Sequence, residues 1–424
     1  MENTSNESVL VIGAGQAGIQ VADSLRAEGF TGNVTILNDE AHSPYQRPPL
    51  SKEYLTPGKE ALPLPLRGET FFTDKGIKLL TGVPATGIDR TDRTVALANG
   101  MTLSYEQLIL ATGTRNRTLG CTGAELPGIH GLRTLADAEA LHAALPAARN
   151  VVVIGAGFIG LEFAAAARAH GCNTTVLEFA PRPMGRALTP LMGDWFAGAH
   201  ARLGINLRLS EGIDRFEAGE HGRVTAAVST TGVRYPADLV VVGIGVLPND
   251  SLAREAGLQT ENGIFVDAQL RTSDPNILAV GDCANFPHSL AGGRIRLESV
   301  QNATDQARHA ARTIMAASVG QSEANPYADL PWFWSTQGPY RLQMAGLAHP
   351  EDETLVLGDP QAAKFSVLCF RDGILAAVES VNLPADHLAA RKLLAGSARL
   401  TRHEAEAEGF TLKAAAKFMV VAPA

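Results

Sequence analysis

Cysteine is scarce. The 424 residues contain only Cys121, Cys172, Cys283 and Cys369, with no C-x-x-C or other close pair. That spacing excludes a disulfide framework, a cysteine zinc site and the paired thiols that dithiol enzymes use to pass electrons to sulfur. The histidines, among them His130, His288, His309, His349 and His387, show no ligand spacing, so no metal is expected. A basic surplus is missing too: 36 Lys and Arg face 44 Asp and Glu, a net charge of -8, which argues against nucleic acid as the main partner. Met1 to Ser8 is polar and acidic and lacks the basic and apolar regions of a secretory signal, so a cytoplasmic, reducing setting is expected. The longest apolar stretch, Val151 to Arg168, is broken by Glu162 and crowded with glycine in its first half. It reads as strand, turn and helix, and no membrane partner is expected.

What is present is the composition of a packed globular chain, with 45% apolar and 19% charged residues. The length suggests about three domains. The 42 glycines exceed the usual share of roughly 7% and hint at glycine-dependent loops. Ser8 to Ile12 is a short apolar run that leads into Gly13-Ala14-Gly15-Gln16-Ala17-Gly18. A predicted helix from Ile19 to Ala27 and a strand from Asn33 to Leu37 follow, closing on Asp39, 26 residues after Gly13. Strand, glycine turn, helix, strand and acid is the order of a dinucleotide site. The glycines admit the pyrophosphate, bare helix amides stabilise its charge, and the acid accepts ribose hydroxyls. The pattern recurs in Asn150 to Ile154, Gly155-Ala156-Gly157-Phe158-Ile159-Gly160, a helix through Ala169, and the strand Asn173 to Leu177 ending at Glu178. One such motif is weak evidence, but two complete units point to an enzyme that holds two dinucleotides.

Two more strands carry candidate ligand residues. Gln107 to Ala111 runs into Thr112-Gly113, and Ile277 to Val280 runs into Gly281-Asp282. Ligands of open α/β sheets bind beyond the carboxyl ends of strands, which makes Asp282 a candidate to bond a polyol such as the ribityl chain of a flavin, or else a helix N-cap. Cys283, lacking a second thiol nearby, reads as a small core residue.

These motifs, with Pro44-Tyr45-Gln46-Arg47-Pro48-Pro49-Leu50-Ser51-Lys52, Glu298 to Ala303 and Pro331-Trp332-Phe333-Trp334-Ser335, resemble those of the FAD-dependent, NAD(P)H-using ferredoxin reductases of bacterial oxygenase systems. The resemblance implies an α/β fold with two Rossmann-like dinucleotide-binding domains, glutathione-reductase-like, plus a smaller C-terminal α+β domain. It implies FAD on Gly13, Gly15, Gly18, Asp39, Arg47, Ala111, Thr112, Gly113, Asp282 and Val300, and NAD on Gly155, Gly157, Gly160, Glu178 and Arg186. Glu178 at the ribose would repel a 2'-phosphate and favour NADH, unless Arg182 or Arg186 turned to neutralise that phosphate. Lys52 and Glu162 are implied to meet beside the flavin, either as part of the chemistry or as a structural ion pair. Trp332 and Trp334 would share one face of a strand, with Trp334 on the route to the redox partner or simply in the core. Thr336 and Gly338-Pro339 depart from the family pattern and leave the docking geometry open.

The implied boundaries are 1 to 114 and 248 to 328 for an interrupted FAD domain, 115 to 247 for the NAD domain, and 329 to 424 for a C-terminal domain with strands around Trp332, Gln343, Phe365 and Ile374. The implied activity is hydride transfer from NADH to FAD, then single-electron transfer to a 2Fe-2S ferredoxin that feeds a haem monooxygenase or a Rieske-type oxygenase. A monomer is expected. Alternatives are a rubredoxin reductase and an apoptosis-inducing-factor-like NADH-sensing flavoprotein.

Overall fold

The computed structural model describes residues 7–318, 325–396 and 399–419. Two compact units emerge: residues 1–46, 64–115 and 247–329 form one, and residues 47–63, 116–246 and 330–424 form the other. The segment 47–63, placed by sequence reasoning with the first glycine unit, groups with the second.

In the first unit a parallel five-stranded sheet runs in the order Ile277–Ala279, Gln107–Leu110, Ser8–Ile12, Asn33–Leu37, Ile77–Leu80. Its central strands are near-continuous apolar runs because both faces are covered; Val9 to Ile12 and Leu108 to Leu110 are all buried. Helix Gln16–Ala27 packs against helix Val300–Ser318. Antiparallel strands Ala85–Asp89, Thr94–Leu97 and Thr102–Ser104 form a separate small sheet.

The second unit repeats the design. Its parallel sheet runs Asn206–Leu209, Asn173–Glu178, Asn150–Ile154, Leu239–Val242, Ile129–His130. The same unit contains an antiparallel five-stranded sheet in the order Trp332–Gln337, Tyr340–Gly346, Ile374–Val381, Lys364–Arg371, Glu353–Asp359. Helix Pro384–Ala395 packs on this sheet, and helix Leu412–Met419 packs on that helix. Four of these strands were expected. Glu353–Asp359 was missed, because it lies at the sheet edge and is only half-buried over most of its length. A half-exposed edge strand lacks the apolar run that marks a central one.

Among the described residues, no helix is long and apolar enough to cross a membrane.

Candidate cofactor sites

The two glycine turns share one geometry. The Gly13 amide donates to the Leu37 carbonyl at 2.9 Å and the Gly155 amide to the Leu177 carbonyl at 2.8 Å, which fastens each turn to the end of the neighbouring strand. Gly13 has φ 109° and Gly155 φ 101°, a conformation side chains rarely adopt. A Cβ at Gly13 would stand 2.3 Å from the Ala111 carbonyl oxygen, and one at Gly155 2.5 Å from that of Gly243. The third glycines let each helix close onto its turn: a Cβ would meet the Gly13 oxygen at 1.9 Å from Gly18, and the Gly155 oxygen at 2.2 Å from Gly160.

The middle glycines differ. Nothing lies within 4 Å of a Cβ added at Gly15, and only the Gly243 oxygen, at 3.9 Å, within reach of one at Gly157. Both residues sit at helix N-caps with no side-chain cap, so free amides face an open cradle. This combination fits a pyrophosphate at both turns.

The acids are less alike. Strand register sets Ile12 against Leu37 and Ile154 against Leu177, so the position after each strand partner is Asn38 in the first unit and Glu178 in the second. Asn38 is buried and donates to the Glu40 and His42 carbonyls at 2.9 and 3.1 Å. Asp39 lies one residue further on and is exposed. Glu178 accepts from the Ala156 amide at 2.6 Å and the Ala180 amide at 2.8 Å, which places its carboxylate against the glycine turn. Arg182 is ion-paired with Asp194 at 2.9 Å, while the Arg186 side chain lies beside Gly245.

The strand-end turns of the first unit are knotted together. Asn249, a residue sequence reasoning missed, receives the Thr112 hydroxyl on its carbonyl at 2.6 Å, donates its amide side chain to the Thr112 carbonyl at 2.9 Å, and donates its backbone N–H to the Gly113 carbonyl at 2.9 Å. Gly281 donates to the Gln306 side chain at 2.7 Å. Asp282 lies within the short helical turn Gly281–Cys283, where Val280 is the N-cap, and accepts from Thr114 at 3.4 Å. Val300 opens the long helix and is half-buried. Ala111 is buried. Cys283 is fully buried, its thiol directed at the Leu110 and Val280 carbonyls and pushed up in pKa by burial, which makes it an inert core residue.

In the second unit Arg47 donates to the Arg133 carbonyl at 2.7 Å. Lys52 and Glu162 meet: Lys52 Nζ lies 2.7 Å from Glu162 Oε2. The Lys comes from the short turns after Arg47, and the Glu from the second turn of the helix that follows Gly157, on its buried face. Glu162 is only 5% exposed and also accepts the Ser51 hydroxyl at 2.5 Å and the Ser335 hydroxyl at 2.6 Å. Trp332 and Trp334 lie on one face of their strand, ring centroids 5.6 Å apart, and both are half-buried. Phe333 packs on Phe158, the first residue of the second glycine-turn helix, at 4.7 Å, and Arg391 stacks over Trp332 at 4.1 Å.

Two glycine turns of matching geometry, each with an open cradle, define a protein that holds two dinucleotides. The chain belongs to the pyridine nucleotide-disulphide oxidoreductase family, which residues 7–307 match, and it carries the reductase C-terminal domain over residues 332–416. It is 47% identical over 408 residues to a rhodocoxin reductase from Rhodococcus erythropolis, covering 96% of this chain and 94% of the relative. Among solved structures it is similar to the ferredoxin reductase for the CYP199A2 system of Rhodopseudomonas palustris, with TM-score 0.92 and 46% identity over 97% of this chain and 100% of that one. It is also similar to the covalent putidaredoxin reductase–putidaredoxin complex, with TM-score 0.91 and 37% identity over 98% of this chain and 100% of that one.

Proposed function

We propose that the protein is an NADH-dependent ferredoxin reductase of an oxygenase system. When bound, FAD would supply the redox chemistry by accepting one hydride, an electron pair, from NADH and passing the two electrons singly to a 2Fe-2S ferredoxin, which serves a haem monooxygenase or a Rieske-type oxygenase. The observation that carries this reading is the pair of open glycine cradles on a chain whose four cysteines are all free and far apart in sequence. Two dinucleotides bound without paired thiols set aside electron transfer through a dithiol, and the similarity to ferredoxin reductases supports a one-electron protein carrier as the acceptor.

The chain's own residues have distinct tasks. Gly13, Gly15 and Gly18 admit the FAD pyrophosphate, with Arg47 adding positive charge and the Thr112–Gly113 and Asp282 turns holding the polyol end. The outermost acid, Asp39, and the first turn of the Val300 helix complete that set. Gly155, Gly157 and Gly160 admit the NAD pyrophosphate, with Arg186 nearby. Glu178 accepts the adenosine ribose hydroxyls, and its negative charge disfavours a 2'-phosphate. The ion pair that engages Arg182 supports the NADH preference. Lys52, fixed by Glu162, presents a positive charge to the reacting end of the cofactors, and Trp334 lines the exit toward the ferredoxin. Arg391, on helix Pro384–Ala395 and stacked over Trp332, adds positive charge suited to an acidic carrier. A cytoplasmic setting belongs to the same proposal.

The test is NADH-driven cytochrome c reduction by the FAD-loaded protein, with and without a panel of 2Fe-2S ferredoxins and a rubredoxin. Strong dependence on a ferredoxin is the expected result. Dependence on rubredoxin alone would make it a rubredoxin reductase. Bleaching of the flavin by NADH with no carrier accepted would overturn the ferredoxin role.

A further inference from the structure

The carboxylate of Glu162 sits at the end of a buried hydrogen-bond chain that begins in the C-terminal domain. Strand Trp332–Gln337 alternates its side chains, so Ser335 and Gln337 share the face opposite Trp332 and Trp334, and both are fully buried. Ser335 Oγ lies 2.6 Å from Glu162 Oε1, Gln337 Nε2 lies 3.1 Å from Ser335 Oγ, and His200 Nε2 lies 2.7 Å from Gln337 Oε1.

The donors can run in only one direction. An ionised carboxylate accepts only, so the Ser335 proton goes to Glu162, and Ser335 must take its own hydrogen bond from the Gln337 amide nitrogen. That leaves the Gln337 oxygen to accept from His200, whose Nδ1 has no partner. Burial holds the imidazole pKa below its ordinary value, which is consistent with a neutral ring protonated at Nε2. The second Gln337 N–H is taken by Met184 Sδ at 3.3 Å, and the Met184 backbone N–H donates to Ala156 in the glycine turn at 2.9 Å. Every member therefore has its orientation fixed by the next, and bonds aligned head to tail polarise one another toward the carboxylate.

We propose that Ser335 and Gln337 are positioning residues that hold Glu162, and through it Lys52, in the geometry used for flavin reduction, so that the C-terminal domain takes part in forming the reductive site. A single cation shared with one buried carboxylate leaves Glu162 Oε1 dependent on the Ser335 hydroxyl. Without that donor the carboxylate is held only on its Ser51 and Lys52 side and is free to turn there, which leaves the Pro48 carbonyl at 3.0 Å as the one fixed backbone acceptor of Lys52. The proposal rests on the reading that the Lys52–Glu162 pair serves the reacting end of the cofactors.

The experiment has two readouts on the oxidised holoprotein and its Ser335→Ala, Gln337→Met, Ser335→Thr and Lys52→Met variants. The first is the Lys52 side-chain ammonium resonance in 15N-lysine-labelled protein, assigned by its loss in Lys52→Met, which reports a fixed ion pair without any turnover. The second is the anaerobic rate of flavin reduction at saturating NADH, alongside the Kd for NAD+. The expected result is loss of the ammonium signal and about a tenfold slower reduction in Ser335→Ala, a smaller change in Gln337→Met, an NAD+ Kd within about twofold of the parent, and recovery of both readouts in Ser335→Thr. An unchanged ammonium signal and rate in Ser335→Ala and Gln337→Met would overturn the proposal. If Lys52→Met itself reduced at the parent rate, the functional reading of the pair would fail, and the resonance would still decide whether Ser335 positions it.

Discussion

Glu379 offers a quantitative test of how the C-terminal sheet is joined to the segment before helix Pro190–Arg202. The Glu379 side chain is 1% exposed, on strand Ile374–Val381. Its two oxygens accept from Thr189, one from the backbone N–H at 2.8 Å and the other from the hydroxyl at 2.6 Å. Burial pushes its carboxyl up from 4.5 to about 7, with the Thr189 hydrogen bonds pulling the other way and Asp352 adding a small upward push. The folded value is above the unfolded one, so the native state holds this proton more tightly than the unfolded chain. Above pH 7 the charged carboxylate costs the native state the full difference, about 3 kcal/mol at 1.36 kcal/mol per unit, and this penalty is relieved as pH falls from about 7 toward 4.5. Roughly 2 kcal/mol of the relief falls between pH 8 and pH 5.5.

Glu379→Gln abolishes the titration while leaving an oxygen to accept from Thr189. The expected outcome in urea unfolding at saturating FAD is a variant more stable than the parent at pH 8, by about 1–3 kcal/mol after the loss of one charge-assisted bond. That advantage shrinks by about 2 kcal/mol at pH 5.5. Other carboxylates, such as Asp23 and Asp274, whose basic partners hold them below the usual range against the opposing effect of burial, titrate in both proteins and cancel in the comparison. A stability gap that stays the same at both pH values would refute the reasoning.

Four further outcomes are expected. Gly15→Ala should fold, because its Cβ meets nothing within 4 Å, yet purify with FAD affinity reduced about tenfold or more, read by flavin occupancy and dialysis; Gly13→Ala should fail to fold, its Cβ colliding with the Ala111 oxygen at 2.3 Å. Glu178→Ala should erode the NADH over NADPH preference about tenfold or more in kcat/KM, and an unchanged ratio would remove Glu178 from specificity. Lys52→Ala leaves Glu162 buried with only hydroxyl donors, so stability should fall by about 3 kcal/mol and flavin reduction should slow while FAD is retained; normal anaerobic reduction kinetics would make the pair structural.

Local signals made much of the architecture legible. Both glycine turns, the strands Asn33–Leu37 and Asn150–Ile154, and the helix ending at Ala169 stand where short-range pattern places them, because a turn that needs φ > 0, a close helix and a bare N-terminus impose glycine at fixed offsets. The Lys52–Glu162 contact is legible in the sequence only through the family resemblance and not through spacing, since 110 positions separate the two residues. Asn249, Gln337 and His200 left no readable signal, and Ser51 and Ser335 stand within the family motifs with nothing to mark their tie to Glu162. A serine or glutamine on a strand looks the same in sequence whether it faces water or a buried carboxylate.

The sequence by itself therefore determined the two dinucleotide units, the lack of a thiol pair and the candidate acids, all of which depend on residues near one another along the chain. Tertiary structure alone decided that segment 47–63 packs with the second unit, that Asn38 and not Asp39 is the register equivalent of Glu178, and that the C-terminal strand closes the hydrogen bonds of Glu162. The physical reason is that a buried charge must find its donors wherever the fold brings them, and no periodicity along the chain encodes which distant residue that will be.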